Sequence, residues 1–186
     1  AEYPWCTITP ADISRSDADF VDFDEVCRSK RPLLARAEQD FFSAAGNDVL
    51  LSYEEFIQQH AGWLEDYALF TALAEHFGTS TWLAWPSPIA ERSEKALKEW
   101  RARLSARIRY HCFVQYVFFT QWQALKRYCN DRDVLLMGDI PIYVTFESAD
   151  AWANPGIFEL DPLTGAPARV SGVPPDYFSE TGQRWG

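Results

Sequence analysis

The final quarter of the chain holds the residues from which a site could be built. Asp139 follows the short apolar run Val134, Leu135, Leu136 and Met137, and Asp176, Tyr177, Phe178, Ser179, Gln183 and Trp185 fall within one Gly- and Pro-bearing stretch. A carboxylate at the C-terminal end of a buried strand stands where parallel α/β enzymes place working groups. The same aspartate would also serve as a cap for the turn that leads into Pro141. Large rings in an irregular segment are costly to expose unless they cover a core or a ligand. Aromatic faces beside carboxylate and amide groups suit sugars, whose C–H faces pack on rings while their hydroxyls need planar polar partners; the same rings also serve ordinary core contacts.

Other chemistries lack their residues. His60, His76 and His111 are scattered, none lies in an HExxH frame and no cysteine pair joins them, so no metal site is expected. Each reads as a helix-face or satisfied core histidine. The chain has no GxSxG, GxGxxG or GxxxxGK, which leaves nucleophilic serine, dinucleotide and nucleotide chemistry without a motif, and no cofactor is expected. Cys6, Cys27, Cys112 and Cys129 show no CxxC spacing. Cys112 and Cys129 fall on one expected helix, roughly 25 Å apart at 1.5 Å per residue, too far to bridge. With no basic n-region or apolar h-region in the opening residues, reduced thiols in a cytoplasm are the expectation.

The elements that would position these residues can be read from periodicity. Val26, Leu33, Leu34, Ala37, Phe41 and Ala44 recur at helical spacing, predicting a helix over 24–45 with Asp22 or Asp24 as N-cap and Gly46 beyond its end. Ser52 with Glu55 forms a capping box for a second start, and helical spacing resumes from Trp63 to Phe77 before Gly78. Two prolines make 82–88 a connection. From Ser93 the pattern runs without proline or glycine to Asn130, and a continuous helix there would be about 37 residues and roughly 55 Å long. It carries 9 basic against 4 acidic residues over 93–133, which reads as a solvated or internally paired helix face. Residues 134–140 then read as a strand buried on both faces. The stretches 157–160 and 168–170 flank the turn from Asp161 to Gly165 and predict a small hairpin, and 172–186 reads as a long loop.

Composition limits the rest. The 186 residues suffice for one respectable core, and 47 % apolar content excludes disorder. A formal charge of −10 repels a phosphate backbone, so nucleic acid is not an expected partner. The longest apolar runs fall far short of the roughly 20 residues that span a bilayer, and no membrane partner is expected. The 29 aromatic residues are an unusually large share and make flat ring-shaped ligands worth considering. Both ends look cut, which suggests a piece of a longer protein.

Five ordered motifs sharpen this reading: WLEDYALF at 63–70, FTQWQAL at 119–125, GDIPIYV at 138–144, SADAWANP at 148–155 and GVPPDYFSETGQRWG at 172–186. Together they closely resemble the amylomaltases, the 4-alpha-glucanotransferase or disproportionating-enzyme family, from about residue 20 onward. The resemblance implies a (β/α)8 barrel that transfers α-1,4-glucan segments between maltooligosaccharides with retention. The family's nucleophilic aspartate, acid/base glutamate and stabilising aspartate lie on later strands and have no counterpart in this chain. By the same resemblance, Asp139 matches a barrel-strand aspartate that contacts sugar, and Asp176, Tyr177, Phe178, Ser179, Gln183 and Trp185 match a glucan-contacting loop. Glu147 departs from the family, which more often has Asp before the serine at that turn.

The resulting expectation is an α/β chain forming a partial (β/α)8 TIM-barrel fragment. It would comprise an inserted helical subdomain (1–92), then a long barrel helix, one barrel strand at 134–140, a small β-hairpin and substrate loops (93–186). α-1,4-Glucans and maltooligosaccharides are the expected partners, without catalytic residues in this chain, and the unpaired strand should cause self-association. A non-catalytic carbohydrate-binding module and a helical interaction protein are the alternative readings.

Overall fold

A computed structural model describes residues 20–141 and 143–185, the last by its backbone alone; Cys6, Ile142 and Gly186 lie outside the described residues. The elements in chain order are α1 (Phe23–Ala44), α2 (Asn47–Phe77), a 3-10 turn (Trp82–Ala84), α3 (Ser87–Ala90), α4 (Glu94–Arg103), α5 (Ser105–Asn130), α6 (Ala149–Ala153), a second 3-10 turn (Pro155–Ile157), β1 (Ser171–Val173) and β2 (Gln183–Trp185). No helix among the described residues is long and apolar enough to cross a membrane. The chain divides into two compact units, one of residues 1–61 with 112–135 and one of residues 62–111 with 136–186.

In the first unit, α1 begins where expected. The Asp22 carboxylate accepts from the Glu25 amide at 2.9 Å and satisfies one of the helix's open N–H groups. The helix runs through Pro32, which supplies no amide for the bond to the carbonyl four residues back. Its fully buried residue is Phe41, which meets Phe42, Tyr53, Phe113 and Tyr116 at centroid distances of 5.0 to 5.8 Å. Edge-on and tilted rings at these distances add to the burial of the rings themselves, about 1.5–3 kcal/mol for each fully buried one. The expected restart at Ser52 is corrected: α2 is already helical from Asn47, because the Gly46 carbonyl accepts from both Val49 and Leu50. Ser52 therefore sits inside the helix, with its hydroxyl receiving the Tyr116 O–H at 3.4 Å instead of capping.

The second unit is organised by tryptophan. Leu69, Phe70 and Leu73 of α2 pack with Trp82, Trp85, Ile89, Ala96 and Trp152. Each indole has a buried N–H to satisfy, and each finds a backbone carbonyl: Trp82 to Phe146, Trp85 to Thr79 and Trp152 to Ile89, at 2.9 to 3.2 Å. The region expected as a plain connection is thus a core-forming turn. Gly78 closes α2 with φ +71, the left-handed conformation that stops a helix. The expected single helix from 93 to 130 is interrupted at Leu104, where φ −103 and ψ 16 leave the helical range. No proline or glycine causes this. Leu104 is half-buried against the tryptophan core, so packing, which periodicity does not record, sets the local backbone.

Three β expectations are corrected. Residues 134–140 form no strand: they are extended, unpaired and exposed, with Leu135 88 %, Met137 97 % and Ile140 84 % accessible. A strand exists only by pairing, and no other described segment pairs with this one in a sheet. The expected hairpin of 157–160 with 168–170 shrinks to an isolated bridge between Leu160 and Pro167, since Pro167 has no N–H to continue the ladder. The ladder lies instead in the stretch read as a loop. There β1 and β2 pair antiparallel with Ser171 opposite Trp185, Gly172 opposite Arg184 and Val173 opposite Gln183. The described architecture is mostly helical with this one small sheet.

Candidate functional site

The tip of the β1–β2 hairpin carries most of the residues singled out from the sequence. Asp176 shapes it: its carboxylate accepts from the amides of Phe178 and Ser179 at 2.9 and 2.8 Å, while its own amide donates to the Ser179 carbonyl at 2.9 Å. The Ser179 hydroxyl donates to the Gly182 carbonyl at 2.7 Å, and the Gly182 amide returns to the Ser179 carbonyl at 3.1 Å. Asp176 and Ser179 are thereby committed to building the turn. What they present is Tyr177 and Phe178, 96 % and 89 % exposed, set edge to face with centroids 5.5 Å apart.

Two glycines allow this hairpin. A Cβ at Gly172 would overlap the Gln183 carbonyl oxygen, and one at Gly182, whose φ is +73, would lie only 2.5 Å from the Val173 oxygen. Gln183 follows on β2, and the backbone of Trp185 pairs at the ladder's end. The structure therefore brings together Asp176, Tyr177, Phe178, Ser179 and Gln183 within one element. It does not join them to Asp139, which lies exposed in the extended 134–141 segment with no side-chain partner among the described residues.

Sequence reasoning missed the groups that brace the segment between Asp139 and the hairpin. Glu147 accepts from the hydroxyls of Ser80, at 3.2 Å, and Thr81. Next to it, the Ser148 hydroxyl caps α6 by accepting from Ala151 at 3.2 Å, which aims Trp152 into the core. Arg92 stacks on Trp152 at 4.2 Å and pairs with Asp66 at 2.7 Å from a left-handed backbone of φ 58. The motif order contained Trp152 and Asp66 but no signal linking them through Arg92. A further turn is held by Asp161, whose carboxylate accepts from the Leu163 and Thr164 amides and the Thr164 hydroxyl. The bonds from the Thr164 amide and hydroxyl, then from Leu163, hold that carboxyl below the usual range.

The titratable cluster in the second unit lies on helices. Glu75 accepts from the Arg107 guanidinium and faces His111 Nε2 at 3.2 Å. Burial opposes ionisation of Glu75, but the hydrogen bond from Arg107 and the charges of His111 and Arg107 outweigh it and hold the carboxyl low. Burial pushes the His111 imidazole down against the opposing pull of Glu75. As expected for isolated histidines, His60 and His76 pack against Phe56 and Trp100. Among the described residues no group of three or more His, Cys, Asp or Glu could hold a metal ion, and no disulfide joins Cys27, Cys112 and Cys129. The hairpin offers exposed rings above a carboxylate-built turn, an arrangement suited to holding a ligand by its apolar faces and supplying no acid or nucleophile.

Comparison with known proteins bears on this arrangement. A model of the 4-alpha-glucanotransferase family matches residues 8–186. The 4-alpha-glucanotransferase of Synechocystis sp. is 45 % identical over 166 residues, covering 89 % of this chain and 33 % of that protein. The enzyme of the same name from Thermus thermophilus is 44 % identical over 166 residues with the same coverages. Among solved structures, the amylomaltase from Streptococcus agalactiae in complex with acarbose superposes with a TM-score of 0.81 at 38 % identity, over 89 % of this chain and 33 % of that one. The chain spans about a third of the length of these relatives. With a family match across nearly all of its residues and relatives above 40 % identity, the chain belongs to the 4-alpha-glucanotransferase family.

Proposed function

We propose that this chain is one segment of a longer 4-alpha-glucanotransferase, in which it forms part of the wall of the glucan site. The observation that carries this reading is the match of residues 8–186 to the family, together with a span of about a third of its relatives. The parent reaction transfers an α-1,4-glucan segment between maltooligosaccharides with retention. A carboxylate attacks the anomeric carbon as a carboxylic acid protonates the departing glycosidic oxygen. An acceptor hydroxyl then displaces the enzyme carboxylate and returns its proton. Retention places the two carboxyl groups about 5–5.5 Å apart across the bond. Both belong to segments other than this one.

In this reading Tyr177 and Phe178 receive sugar C–H faces, while Gln183, Trp185 and Asp139 complete the contacts, Asp139 from a strand formed by 134–140 when barrel neighbours run beside it. The acarbose held by the Streptococcus agalactiae amylomaltase supports a saccharide ligand of this type. The helical stretch to residue 92 is then an insertion in the barrel.

The test is a chimera in which residues 20–185 replace the matching segment of the Thermus thermophilus enzyme. Glucose release from maltotriose, with longer maltooligosaccharides formed alongside, is the expected result. A folded chimera without transfer would refute the reading. The isolated chain should release no glucose above a buffer control.

A further inference from the structure

Two stretches far apart in the chain meet at the turn before α6. Glu147 accepts from the Ser80 hydroxyl at 3.2 Å and from the Thr81 hydroxyl, one on each carboxylate oxygen. Beside it, the Trp82 indole N–H donates to the Phe146 carbonyl at 2.9 Å, and the two rings lie 4.8 Å apart. Ser80, Thr81 and Trp82 are consecutive, so 80–82 grips 146–147 through all three side chains. Trp82 alone would hold Phe146 by one carbonyl and one ring, about which the chain can pivot. The two bonds to Glu147 remove that freedom. Its carboxylate enters no ion pair among the described residues, so what the side chain supplies is reach and two acceptors.

The direction of Phe146 matters because of what it lines. A cleft of about 230 Å³ separates Val144 and Phe146 from Phe158, Leu160, Pro167 and Val170. The second wall is braced internally, the Ala168 amide donating to the Glu159 carbonyl and the Asp161 amide to the Ala166 carbonyl, each at 2.8 Å, and it runs directly into β1 at Ser171. The first wall follows the segment that carries Asp139. Among the described residues no backbone hydrogen bond crosses the cleft. The spacing of the walls is therefore set by where each is anchored, and Glu147 is part of the anchor of the first.

We propose that Glu147 is a positioning residue: by fixing the direction of Phe146 it sets the width of this cleft, and with it the placement of the Asp139 segment relative to the β1–β2 hairpin. That these two elements wall a glucan site rests on the function proposed above; the fixing of Phe146 does not.

Three substitutions separate reach from charge. Glu147→Ala removes both acceptors, Glu147→Asp keeps the charge one methylene short, and Glu147→Gln keeps the length and can accept from one hydroxyl while donating to the other. In the chimera, Glu147→Ala and Glu147→Asp should raise KM for maltotriose at least about fivefold with kcat within about twofold of the unsubstituted chimera, and Glu147→Gln should stay within about twofold in both. A mere loss of folded enzyme would lower kcat and leave KM alone. In the chain itself, the Trp82 indole N–H should exchange at least about threefold faster in Glu147→Ala and Glu147→Asp than in Glu147→Gln, and the Val170 methyl signals across the cleft should shift in the first two only. An unchanged KM in Glu147→Ala, a loss in Glu147→Gln with Glu147→Asp intact, or unchanged Trp82 exchange in Glu147→Ala would overturn the assignment. An inactive chimera beside the expected Trp82 and Val170 responses would count against the proposed function alone.

Discussion

Gly182→Ala should open the β1–β2 hairpin while leaving the second unit folded. At φ +73 an alanine incurs the left-handed penalty of about 1–2 kcal/mol, and its Cβ would lie 2.5 Å from the Val173 oxygen, 3.0 Å from the Pro174 carbonyl carbon and 3.1 Å from the Pro175 nitrogen. These are backbone atoms and cannot swing aside. Relief requires Gly182 to move away from the turn, which stretches the bonds from the Ser179 hydroxyl and to the Ser179 carbonyl. At about 0.5–1.5 kcal/mol for each of the two bonds, the total is about 2–5 kcal/mol. A two-stranded ladder three residues long has little stability of its own to set against this. The core of Leu69, Trp82, Trp85 and Trp152 includes no hairpin residue, so the melting temperature should hardly change. Gly165→Ala is the matched control. It also has φ +70, but its nearest neighbour is the Leu83 Cδ2 at 3.2 Å, a side-chain end that can rotate. Hydrogen exchange over 171–185 reads the effect directly: protection should vanish in Gly182→Ala and persist in Gly165→Ala, and transfer by the chimera should fall only in the first. Full protection in Gly182→Ala would refute the reasoning.

Other expectations follow from the two units. Trp152→Ala removes a 1 % exposed indole, its N–H bond to Ile89 and the surface under Arg92, and should cost about 3–5 kcal/mol in urea unfolding. Trp152→Phe keeps most of the packing and should cost clearly less. His111 is held below its ordinary value of 6.5 by burial, so the unfolded chain takes up its proton first and stability should decline as pH falls below 6.5. Glu75, whose carboxyl is held below 4.5, adds a second loss as pH falls through that lowered value; His111→Gln should flatten the first limb and shrink the second, which then rests on Arg107. The exposed Leu135, Met137 and Ile140 should drive self-association measurable by light scattering, and Leu135→Ser/Met137→Ser/Ile140→Ser should abolish it.

Features set by neighbours in the chain were legible in the sequence. Asp22 as cap, the helical face that includes Phe41, the stop at Gly78 and the tight turn at Asp161 each depend on groups within a few residues, and each is where spacing put it. Features set by distant groups were not. Nothing within a few residues of Leu104 breaks a helix, and its side chain packs against a core assembled from separate parts of the chain. Ser52 and Glu55 have the spacing of a capping box, yet Gly46 had already begun the helix. The site shows the same division. Motif order brought Asp176 to Gln183 together, but the structural duty of Asp176 and Ser179, and the bracing by Glu147 and Arg92, became visible only with the turn in place.

The segment 134–140 marks the sharpest separation between what a sequence encodes and what a chain can realise. Its Val-Leu-Leu-Met run carries the apolar character of a strand buried on both faces, whereas its backbone here is extended, exposed and unpaired. Burial on two faces is a demand made on neighbours, and a segment cannot meet it alone. Solvent contact at Leu135, Met137 and Ile140 opposes folding of the segment by itself, and the same surface would stabilise a barrel once strands flank it. Asp139 stands at the C-terminal end of that segment, so its position depends on the same pairing. The hairpin, by contrast, is complete within residues 171–185, held by Asp176, Ser179 and two glycines. A chimera that supplies flanking strands should therefore order Asp139 while leaving the hairpin's hydrogen bonds as they are. Hydrogen exchange reads this as new protection at 134–140 with none gained at 171–185; equal gains in both segments would show that the hairpin, too, depends on the barrel.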